Sequence, residues 1–383
     1  MTTDLPSLDL LRSMSDRHVL AAVSRAGRLT RAAAATATGL SKPTVSQSVG
    51  RLLSSGVLVE AERTTGGRGR AGTYLTVNHA AGCAVAVQAG PRGVVGEVVA
   101  LDGRTLATRR RPVEVPVSTG ALGTALVEVC RDLAADSPGP VRVLTLAVAD
   151  PVDRRSGRVV ELPASPFLVG DLDPVALLED VVPVRPVVDN DVSWALLAER
   201  EHGVAAGVED VLHLYLDEGM GAAMSSGGRP LHGARGLAGE IAYSRTSVPT
   251  AGRRAPSSSG TLMECVEALG YLRDGTRAID VEALLDDLDR GVGQARTLAT
   301  AVGEVVRAHA YLLDPELVVL SGRWGRHAEV VEAVTTALAD ARGVQAGVAL
   351  AEVTDDAPLV GARTHALGEL LRTWSPGPAD VPR

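Results

Sequence analysis

Residues 30–51, with the sequence TRAAAATATGLSKPTVSQSVGR, constrain the fold more than any other stretch of the chain. Thr30 carries a side chain suited to capping an Ala-rich helix, which Gly39 would end. Ser41 would cap a second helix with Pro43 in its first turn, where the missing amide hydrogen is not needed. Two short helices joined by a glycine-containing turn predict a helix-turn-helix.

The second predicted helix has two chemically different faces. Val45, Val49 and Leu52 recur at helical spacing and are expected to face the protein core. The opposite face carries the side chains that we expect to contact DNA, namely Lys42, Thr44, Ser46, Gln47 and Arg51. Lys42 is the only lysine of the chain, and it falls on this face. These residues alone leave open the alternative of an ordinary helical hairpin with a solvated face.

Two predicted strands follow the second helix, at residues 57–60 and 73–77. They flank the segment TTGGRGRAG, residues 64–72, whose glycines would let the backbone approach phosphates. Arg68 and Arg70 lie where they could enter a minor groove. The pattern therefore predicts a winged helix-turn-helix, and a flexible linker is the alternative reading of the Gly-Arg segment.

The charge of the chain is divided unevenly between its two parts. Residues 1–80 contain ten basic and five acidic side chains, a net charge of +5, whereas the whole chain carries -8. Residues 81–383 therefore carry -13. A basic head on an acidic body is typical of a nucleic-acid-binding module attached to another domain. We expect double-stranded DNA to contact the head and to be repelled by the body.

Length and composition exclude several other classes of protein. A chain of 383 residues is long enough for two or three domains with real cores. No apolar run reaches the roughly 18 residues of a membrane span, and the N-terminus does not resemble a signal peptide. Cys83, Cys130 and Cys265 are odd in number, far apart and in apolar contexts. We expect a cytoplasmic protein with no membrane contact and no disulfide framework.

From Gly82 onward the pattern changes to that of an α/β protein. Three successive strands, a helix, a strand, a helix and a strand describe the actin-like, ribonuclease-H-like unit, and the pattern then repeats. It predicts helices at 172–182 and 280–312, among others. We expect a winged helix-turn-helix in residues 1–80, a first lobe in 81–190 closed by helix 356–372, and a second lobe in 191–355. The second lobe would contribute oligomerisation and the effector cleft.

With these segments placed, residues from about 10 to 372 resemble the ROK family (repressors, open reading frames and sugar kinases). The resemblance rests on four segments: GLSKPTVSQSVGRLLSSGVLVE, VVDNDVSWALLAE, GARGLAGEIAY and LLDPELVVLSG. It implies a bilobal, sugar-kinase-like body. It also implies that Asn190 contacts a sugar, that Asp191 occupies the position of the catalytic aspartate, and that Glu240 contacts sugar hydroxyls. We therefore expect Asn190, Asp191 and Glu240 to bind an effector.

The chain departs from the family pattern where nucleotide would bind. Kinases of this fold carry an Asp-x-Gly-x-Thr turn, and Gln88-Ala89-Gly90-Pro91-Arg92 stands in its place, without a carboxylate for magnesium. The second phosphate turn is Asp217-Glu218-Gly219-Met220-Gly221, whose carboxylates would oppose a triphosphate by about 4 kcal/mol per close pair. Asp150 stands where a glycine is usual. We expect no bound ATP or Mg²⁺ and no catalytic residues, because Asp191 alone cannot make a kinase.

The zinc site of the family is also interrupted. Tyr243 stands at the position of the histidine, Thr261 stands where the last cysteine would be, and Cys265 is out of register. Because one cysteine cannot form a thiolate site, we expect no metal.

The sequence favours a transcription regulator, most simply a repressor, whose body senses a sugar or a sugar phosphate. Arg92 or Arg235 would meet the phosphate of a phosphorylated effector. A homodimer or a dimer of dimers is expected, because one winged helix reads only a few base pairs. The alternatives are a sugar kinase with an accessory DNA-binding head and a regulator that has lost its ligand. In the latter, Asn190 would serve only to cap a helix.

Overall fold

The computed structural model describes residues 8–63, 72–114, 118–160, 162, 172–249, 259–274 and 276–374. A small N-terminal head precedes a body that contains two five-stranded sheets. Among the described residues, none of the helices combines the length and the apolar character that crossing a membrane requires.

The head is a winged helix-turn-helix, as the sequence predicts. Its elements are α1 Leu8–Ala26, β1 Leu29–Thr30, α2 Arg31–Thr38, α3 Lys42–Ser54, β2 Leu58–Arg63 and β3 Thr73–Val77. The Thr30 hydroxyl accepts a hydrogen bond from the Ala33 amide at 3.2 Å and so caps α2. Gly39 ends α2 at a φ of 69°, a conformation that favours glycine. Ser41 caps α3. The strands β2 and β3 pair antiparallel and form the wing.

The first sheet has the strand order β10-β7-β4-β5-β6. Its lobe contains β4 Cys83–Gly90, β5 Gly93–Val99, β6 Thr105–Arg111, α4 Thr119–Asp136, β7 Val141–Val148, β8 Val152–Asp153, β9 Arg158–Val159, α5 Pro174–Leu178 and β10 Val187–Asn190. β4, β5 and β6 form an antiparallel meander, and β7 and β10 add to it in parallel. This is the arrangement of the actin-like unit, and a 3-10 helix, His79–Ala81, joins it to the head.

The second sheet repeats the plan with the order β13-β12-β11-β16-β17. The elements that follow β10 are α6 Asp191–His202, β11 Val211–Leu216, β12 Met220–Ser226, β13 Arg229–Pro230, β14 Arg245–Pro249, β15 Ser259–Thr261, α7 Leu262–Ala268, α8 Val281–Asp289, α9 Gly293–Leu313, β16 Leu317–Ser321, α10 Ala328–Ala339, β17 Gly347–Leu350 and α11 Ala357–Thr373. A 3-10 helix, Ile241–Tyr243, follows β13.

Two predicted helices are wrong in extent. The single helix expected over 280–312 is two helices, α8 and α9, separated at Gly291, whose φ of 68° cannot continue a right-handed helix. The helix expected over 172–182 covers only Pro174–Leu178. The Leu178 carbonyl accepts from the amides of Val181 and Val182, which closes the chain into a turn before Pro183.

The helices α6 and α11 pack closely against each other on the first sheet. α11 contacts β4 and β7, and α6 contacts both α11 and β12 of the second sheet. At the crossing, a Cβ added to Gly361 would lie 1.8 Å from the carbonyl oxygen of Trp194. The indole of Trp194 donates to the Leu146 carbonyl at 3.1 Å, which fixes α6 to β7. This close crossing depends on the absence of a side chain at Gly361.

Candidate DNA-binding surface and effector cleft

Several polar side chains on the outer face of α3 are exposed to solvent. Lys42, Ser46 and Gln47 are exposed, whereas Val45 and Val49 are fully buried in the core of the head. The structure thus reproduces the two faces that helical spacing predicts. Their proposed contacts with DNA remain predictions.

Two other predicted contact residues are already engaged within the head. The hydroxyl of Thr44 lies 2.8 Å from that of Ser41 at the start of α3. The guanidinium of Arg51 donates to both carboxylate oxygens of Asp16 on α1, at 2.6 and 2.8 Å. Periodicity placed Arg51 on the outer face, but the structure shows that it ties α3 to α1. This pairing was not visible in the sequence, since the two residues are 35 positions apart.

The tip of the wing lies outside the described residues, and with it Arg68 and Arg70. The strands that lead to it are in place, and the Thr76 hydroxyl of β3 donates a hydrogen bond to the carbonyl of Gly27, just after α1, at 3.0 Å. A role for Arg68 and Arg70 in the minor groove therefore remains a prediction from the sequence.

A cavity of about 630 Å³ opens between the two sheets of the body. The turn after β4, the segment after β7 and the start of α6 form one side of it. The turn after β11, the segment before the second 3-10 helix and the segment after β16 form the other. The three predicted effector residues, Asn190, Asp191 and Glu240, all line this cavity. Arg92 lines it as well, whereas Arg235 is not among its lining residues.

Asn190 has a structural role at the cavity wall. Its side-chain oxygen accepts a hydrogen bond from the Val192 amide at 2.9 Å and caps α6. The capping role that the sequence offered as an alternative is therefore present. It occupies the Oδ1 atom and leaves the amide nitrogen as the group of this side chain that can donate to a ligand.

Three carboxylates that line the cavity lie near one another: Asp150, Asp191 and Glu240. Burial raises the pKa of Asp191 to about 7, and the nearby Asp150 adds to the shift. Burial also raises the pKa of Glu240 to about 7, with contributions from Asp150 and Asp191. Glu240 is brought there by Gly239, where a Cβ would lie 1.9 Å from the Ala222 carbonyl oxygen. We call these three residues the acid end.

A buried pair that the sequence did not reveal joins the two halves of the body. Asp189, at the end of β10, lies 2.9 Å from Nε2 of His232, which follows β13. Arg154 adds an ion pair to the same carboxylate at 3.6 Å. Burial lowers the pKa of His232 and raises that of Asp189. The only signal in the sequence was the run Asp189-Asn190-Asp191, which gave no indication of a histidine partner more than 40 residues away.

The second phosphate turn is occupied by an ion-pair network. Arg323 donates to Asp217 at 2.7 Å and to Glu282 at 2.7 Å, and Arg273 donates to Glu218 at 3.3 Å. We call these five residues the arginine end. Asp217 and Glu218 are therefore not the bare carboxylates that the sequence predicted would repel a triphosphate. Two arginines offset their charge, and the network itself occupies the turn where a phosphate would bind.

The first phosphate turn holds no carboxylate. Gln88 stands at the position where a kinase of this type would hold magnesium, and it lines the cavity. Its side-chain oxygen is buried and accepts no hydrogen bond from any described residue. An amide oxygen is a poor substitute for the carboxylate that organises magnesium beside a triphosphate.

The residues at the interrupted zinc site serve the packing of α7. The Thr261 hydroxyl accepts from the Glu264 amide at 3.2 Å and forms a capping box at the start of this helix. Cys265 is buried, and burial raises the pKa of its thiol to about 11. Within the described residues, no group of three His, Cys, Asp or Glu side chains is placed to hold a metal ion.

Two family models match the chain. The ROK family model matches residues 84–269, and the MarR family model matches residues 10–69. An N-acetylmannosamine kinase of Escherichia fergusonii is 26% identical over 302 residues, 75% of this chain and 99% of that protein. A xylose repressor of Bacillus subtilis is 20% identical over 243 residues, 63% of this chain and 62% of that protein.

Among solved structures, the fold is similar to that of a ROK family transcriptional regulator described as a homologue of the E. coli MLC protein. The TM-score is 0.68 at 16% identity, over 95% of this chain and 99% of the other. The likeness extends over the head as well as the body. The chain therefore carries a ROK family domain over residues 84–269 and, in front of it, a winged-helix domain of the MarR type over residues 10–69.

Proposed function

We propose that this protein is a sequence-specific transcription regulator, most simply a repressor, whose body binds a sugar or sugar-phosphate effector without transferring phosphate. The exposed polar face of α3 supports the DNA-binding part of this proposal. The cavity lined by Asn190, Asp191 and Glu240 supports the sensing part. Its polar groups can satisfy ligand hydroxyls, as burial of a sugar requires.

The observation that carries the proposal is the continuous packing between the cavity and the head. Asn190 and Asp191 begin α6, which crosses α11 at Gly361. Further along α11, Ala366 and Leu370 belong to the same apolar core as Val19 of α1.

A second contact joins α1 to the first lobe. The Ser24 hydroxyl of α1 donates to the Leu101 carbonyl of the body at 2.5 Å. A ligand that repositions the start of α6 therefore acts on helices that hold the head in place.

Thermodynamic linkage sets the size of the change in DNA affinity that an effector can cause. A ligand shifts the arrangement of the heads only by its differential affinity for the two arrangements, typically ~1–3 kcal/mol. DNA affinity would change by about 5- to 150-fold, and ligand affinity would change by the same factor on adding DNA. We further propose a homodimer or a dimer of dimers, since two heads related by a dyad read two half-sites.

The alternative function is a sugar kinase with an accessory head, and the kinase relatives favour it. Against it stand Gln88, which replaces the magnesium carboxylate, and Arg323, whose ion pairs occupy the second phosphate turn. A coupled assay on the full chain with ATP and a panel of hexoses separates the two functions. We expect no sugar-dependent nucleotide turnover, and turnover would refute the non-enzymatic reading.

The direct test is footprinting of the full chain on the DNA upstream of its own gene, repeated with a panel of sugars and sugar phosphates. We expect a protected site at low ionic strength and an altered footprint with at least one effector. Absence of duplex binding at low ionic strength would refute the proposal. A footprint that no ligand alters would favour a regulator that has lost its effector.

The roles of the head residues are separable by substitution. Gln47→Ala or Thr44→Ala should relax base preference, because each bidentate base contact gives about 1–3 kcal/mol of discrimination. Lys42→Ala, Arg68→Ala and Arg70→Ala should weaken binding to all sequences and reduce the salt dependence. Ser54→Ala, an exposed change in the last turn of α3, serves as the control. An equal loss on specific and random DNA for all these variants would contradict the assignment.

A further inference from the structure

We infer that Arg142 is a positioning residue, which fixes the orientation of the head through a joint with the end of α11. This inference rests on the proposed DNA-binding function and names the group that holds the head at the place its DNA site requires. The joint consists of the connecting segment Asn78–Gly82, the start of β7 and Trp374. All of these residues lie outside the set of described residues that lines the cavity.

The connecting segment is anchored to the head beside α3. The side-chain amide of Asn78 donates to the carbonyl of Gly56 at 2.9 Å, and its backbone amide donates to the carbonyl of Val57 at 2.8 Å. Gly56 lies just after the end of α3. A displacement of Asn78 therefore reaches the end of the helix that we propose reads DNA.

The connecting segment also lies directly against the first lobe. A Cβ at Gly139 would lie 2.4 Å from the carbonyl oxygen of Ala80, so the two backbones touch before β7 begins. Nε2 of His79 lies 3.2 Å from a carboxylate oxygen of Asp102, in the turn after β5. Both contacts require the connecting segment to hold one position on the body.

The side chain of Arg142, at the start of β7, joins this segment to the end of α11. Its Nε donates to the carbonyl of Ala81 at 3.0 Å. Its guanidinium carbon lies 4.3 Å from the centroid of the Trp374 ring, which is the geometry of a cation–π contact. Gly82 makes room for this side chain, because a Cβ there would lie 2.5 Å from Nε of Arg142. Since Trp374 ends α11, one guanidinium holds that helix to the connecting segment.

The two contacts of Arg142 depend on the shape of a guanidinium group. The planar group donates hydrogen bonds at its edge while its face covers an aromatic ring. Ala81 and Trp374 both pack against the apolar core that α11 shares with the head. Arg142 is exposed, so its contacts add little to the stability of the fold. Their loss instead lets the head tilt about the connecting segment.

A fixed orientation of the head matters for reading two half-sites. Two heads related by a dyad reach both half-sites only when each head holds one orientation on its body. A loose joint would let the heads follow half-sites at other separations. The joint therefore predicts that the chain discriminates the spacing of its half-sites as well as their sequence.

The test measures binding of the full chain to the site that footprinting protects upstream of its own gene. In a second duplex, about 2 base pairs are inserted at the dyad, which moves the half-sites ~7 Å apart and rotates one against the other. In a third duplex, one base of a half-site is changed. We expect the insertion to weaken binding of the unaltered chain about 30-fold or more, because one half-site is lost.

Arg142→Ala should lower the insertion penalty about fivefold, since the ring contact and the hydrogen bond each contribute a factor of a few. The penalty for the base change should stay within about twofold, because α3 is untouched. A variant that merely damages the fold would weaken binding to all three duplexes alike. Arg158→Ala is the matched control: it removes the same charge from an exposed arginine of the first lobe and should keep the full insertion penalty.

Substitutions of Trp374 examine the other half of the contact. Trp374→Phe leaves a ring face for Arg142 and should keep the insertion penalty within about twofold of that of the unaltered chain. Trp374→Ala should behave like Arg142→Ala. If Trp374→Ala does not fold, the surface substitution Arg142→Ala decides.

Hydrogen exchange of the full chain without DNA measures the joint itself. The amides of Ala81 and Cys83 donate to the carbonyls of Asn78 and Pro140 at 3.0 and 3.1 Å. We expect both amides to exchange faster in Arg142→Ala than in the unaltered chain or in Arg158→Ala, with the exchange of α3 unchanged. Identical exchange in all three proteins would overturn the inference.

The outcomes separate this inference from the proposed function. An insertion that costs the unaltered chain nothing, or that costs Arg142→Ala as much as the unaltered chain, would overturn the inference while DNA binding stood. A protected site without two half-sites would do the same. If the full chain binds no duplex at low ionic strength, the proposed function fails, and the inference about the head fails with it.

Discussion

The two ends of the cleft each gather three carboxylates, yet they neutralise them in different ways. At the arginine end, Arg323 and Arg273 form ion pairs with Asp217, Glu218 and Glu282. At the acid end, Asp191 and Glu240 have pKa values raised to about 7 by burial and by neighbouring acids. The first arrangement is complete within the chain. In the second, Asp191 and Glu240 limit their charge by retaining protons, and both line the cavity in which we propose that the effector binds.

The two ends also differ in what they are attached to. Asp191 begins α6, whose crossing with α11 leads toward the core of the head. Asp217 and Arg323 follow β11 and β16, at the centre of the second sheet. A ligand at the acid end would therefore act on the helices next to the head, whereas the ion pairs of the arginine end lie at the centre of the second sheet's edge of the cavity, away from α6 and α11.

The largest expected effect comes from breaking the crossing of α6 and α11. The Cβ of Gly361→Ala would collide with the Trp194 carbonyl oxygen, so the helices must separate. We expect the free energy of unfolding to fall by about 3 kcal/mol, measured by urea denaturation. We also expect the DNA footprint to lose its response to ligand.

Gly368→Ala is the matched control in the same helix. A Cβ there meets nothing within 4 Å, so the change should stabilise α11 by about 0.5–1 kcal/mol. If both variants had the same stability, the close crossing would not exist. If Gly361→Ala folded normally and kept the full ligand response, the acid end would not act through α6.

The next largest effect is expected from removing Arg323, the residue that joins the carboxylates of the arginine end. Arg323→Ala would leave Asp217, which is 15% exposed, and Glu282 without their shared partner. We expect a loss of about 2 kcal/mol in the free energy of unfolding, below the 3–5 kcal/mol of a fully buried pair because Arg323 itself is 42% exposed. Ligand binding at the acid end should change less than twofold. Calorimetric unfolding and sugar titration measure the two quantities.

Arg290→Ala tests whether the loss is specific to the network. Arg290 is 70% exposed and pairs with Asp287 one helical turn away, so its removal should cost less than about 1 kcal/mol. Equal losses from the two substitutions would mean that the arginine end is an ordinary set of surface ion pairs.

The difference between the ends also explains what the sequence could predict. Thr30, Gly39 and Ser41 act within one turn of helix, so the helix-turn-helix and its exposed face follow from local spacing. The repeated α/β pattern predicts the body for the same reason. The pairs of Arg51 with Asp16 and of Asp217 with Arg323 join residues 35 and 106 positions apart. Such pairs depend on how the elements pack, and no local pattern encodes them.

The smallest expected effect is a pH dependence that belongs to the acid end alone. The folded-state pKa of Glu240 is raised to about 7 from the usual 4.5, so the folded protein keeps a proton that the unfolded chain has lost. The resulting stability is present below the unfolded pKa and is lost as the pH rises through about 7. A shift of this size corresponds to about 3 kcal/mol, which partial exposure reduces to about 1 kcal/mol.

Glu240→Gln removes this contribution, because glutamine does not titrate. The free energy of unfolding of the variant relative to the unaltered chain should therefore rise by about 1 kcal/mol between pH 5 and pH 8. His213 and His365, whose pKa values burial lowers to about 4, weaken the fold as the pH falls below 6.5, but their contribution cancels in the difference. Glu179→Gln, a change of an exposed carboxylate on the first lobe, should give a flat difference over the same range. A flat difference for Glu240→Gln as well would mean that the acid end is compensated within the chain, just as the arginine end is.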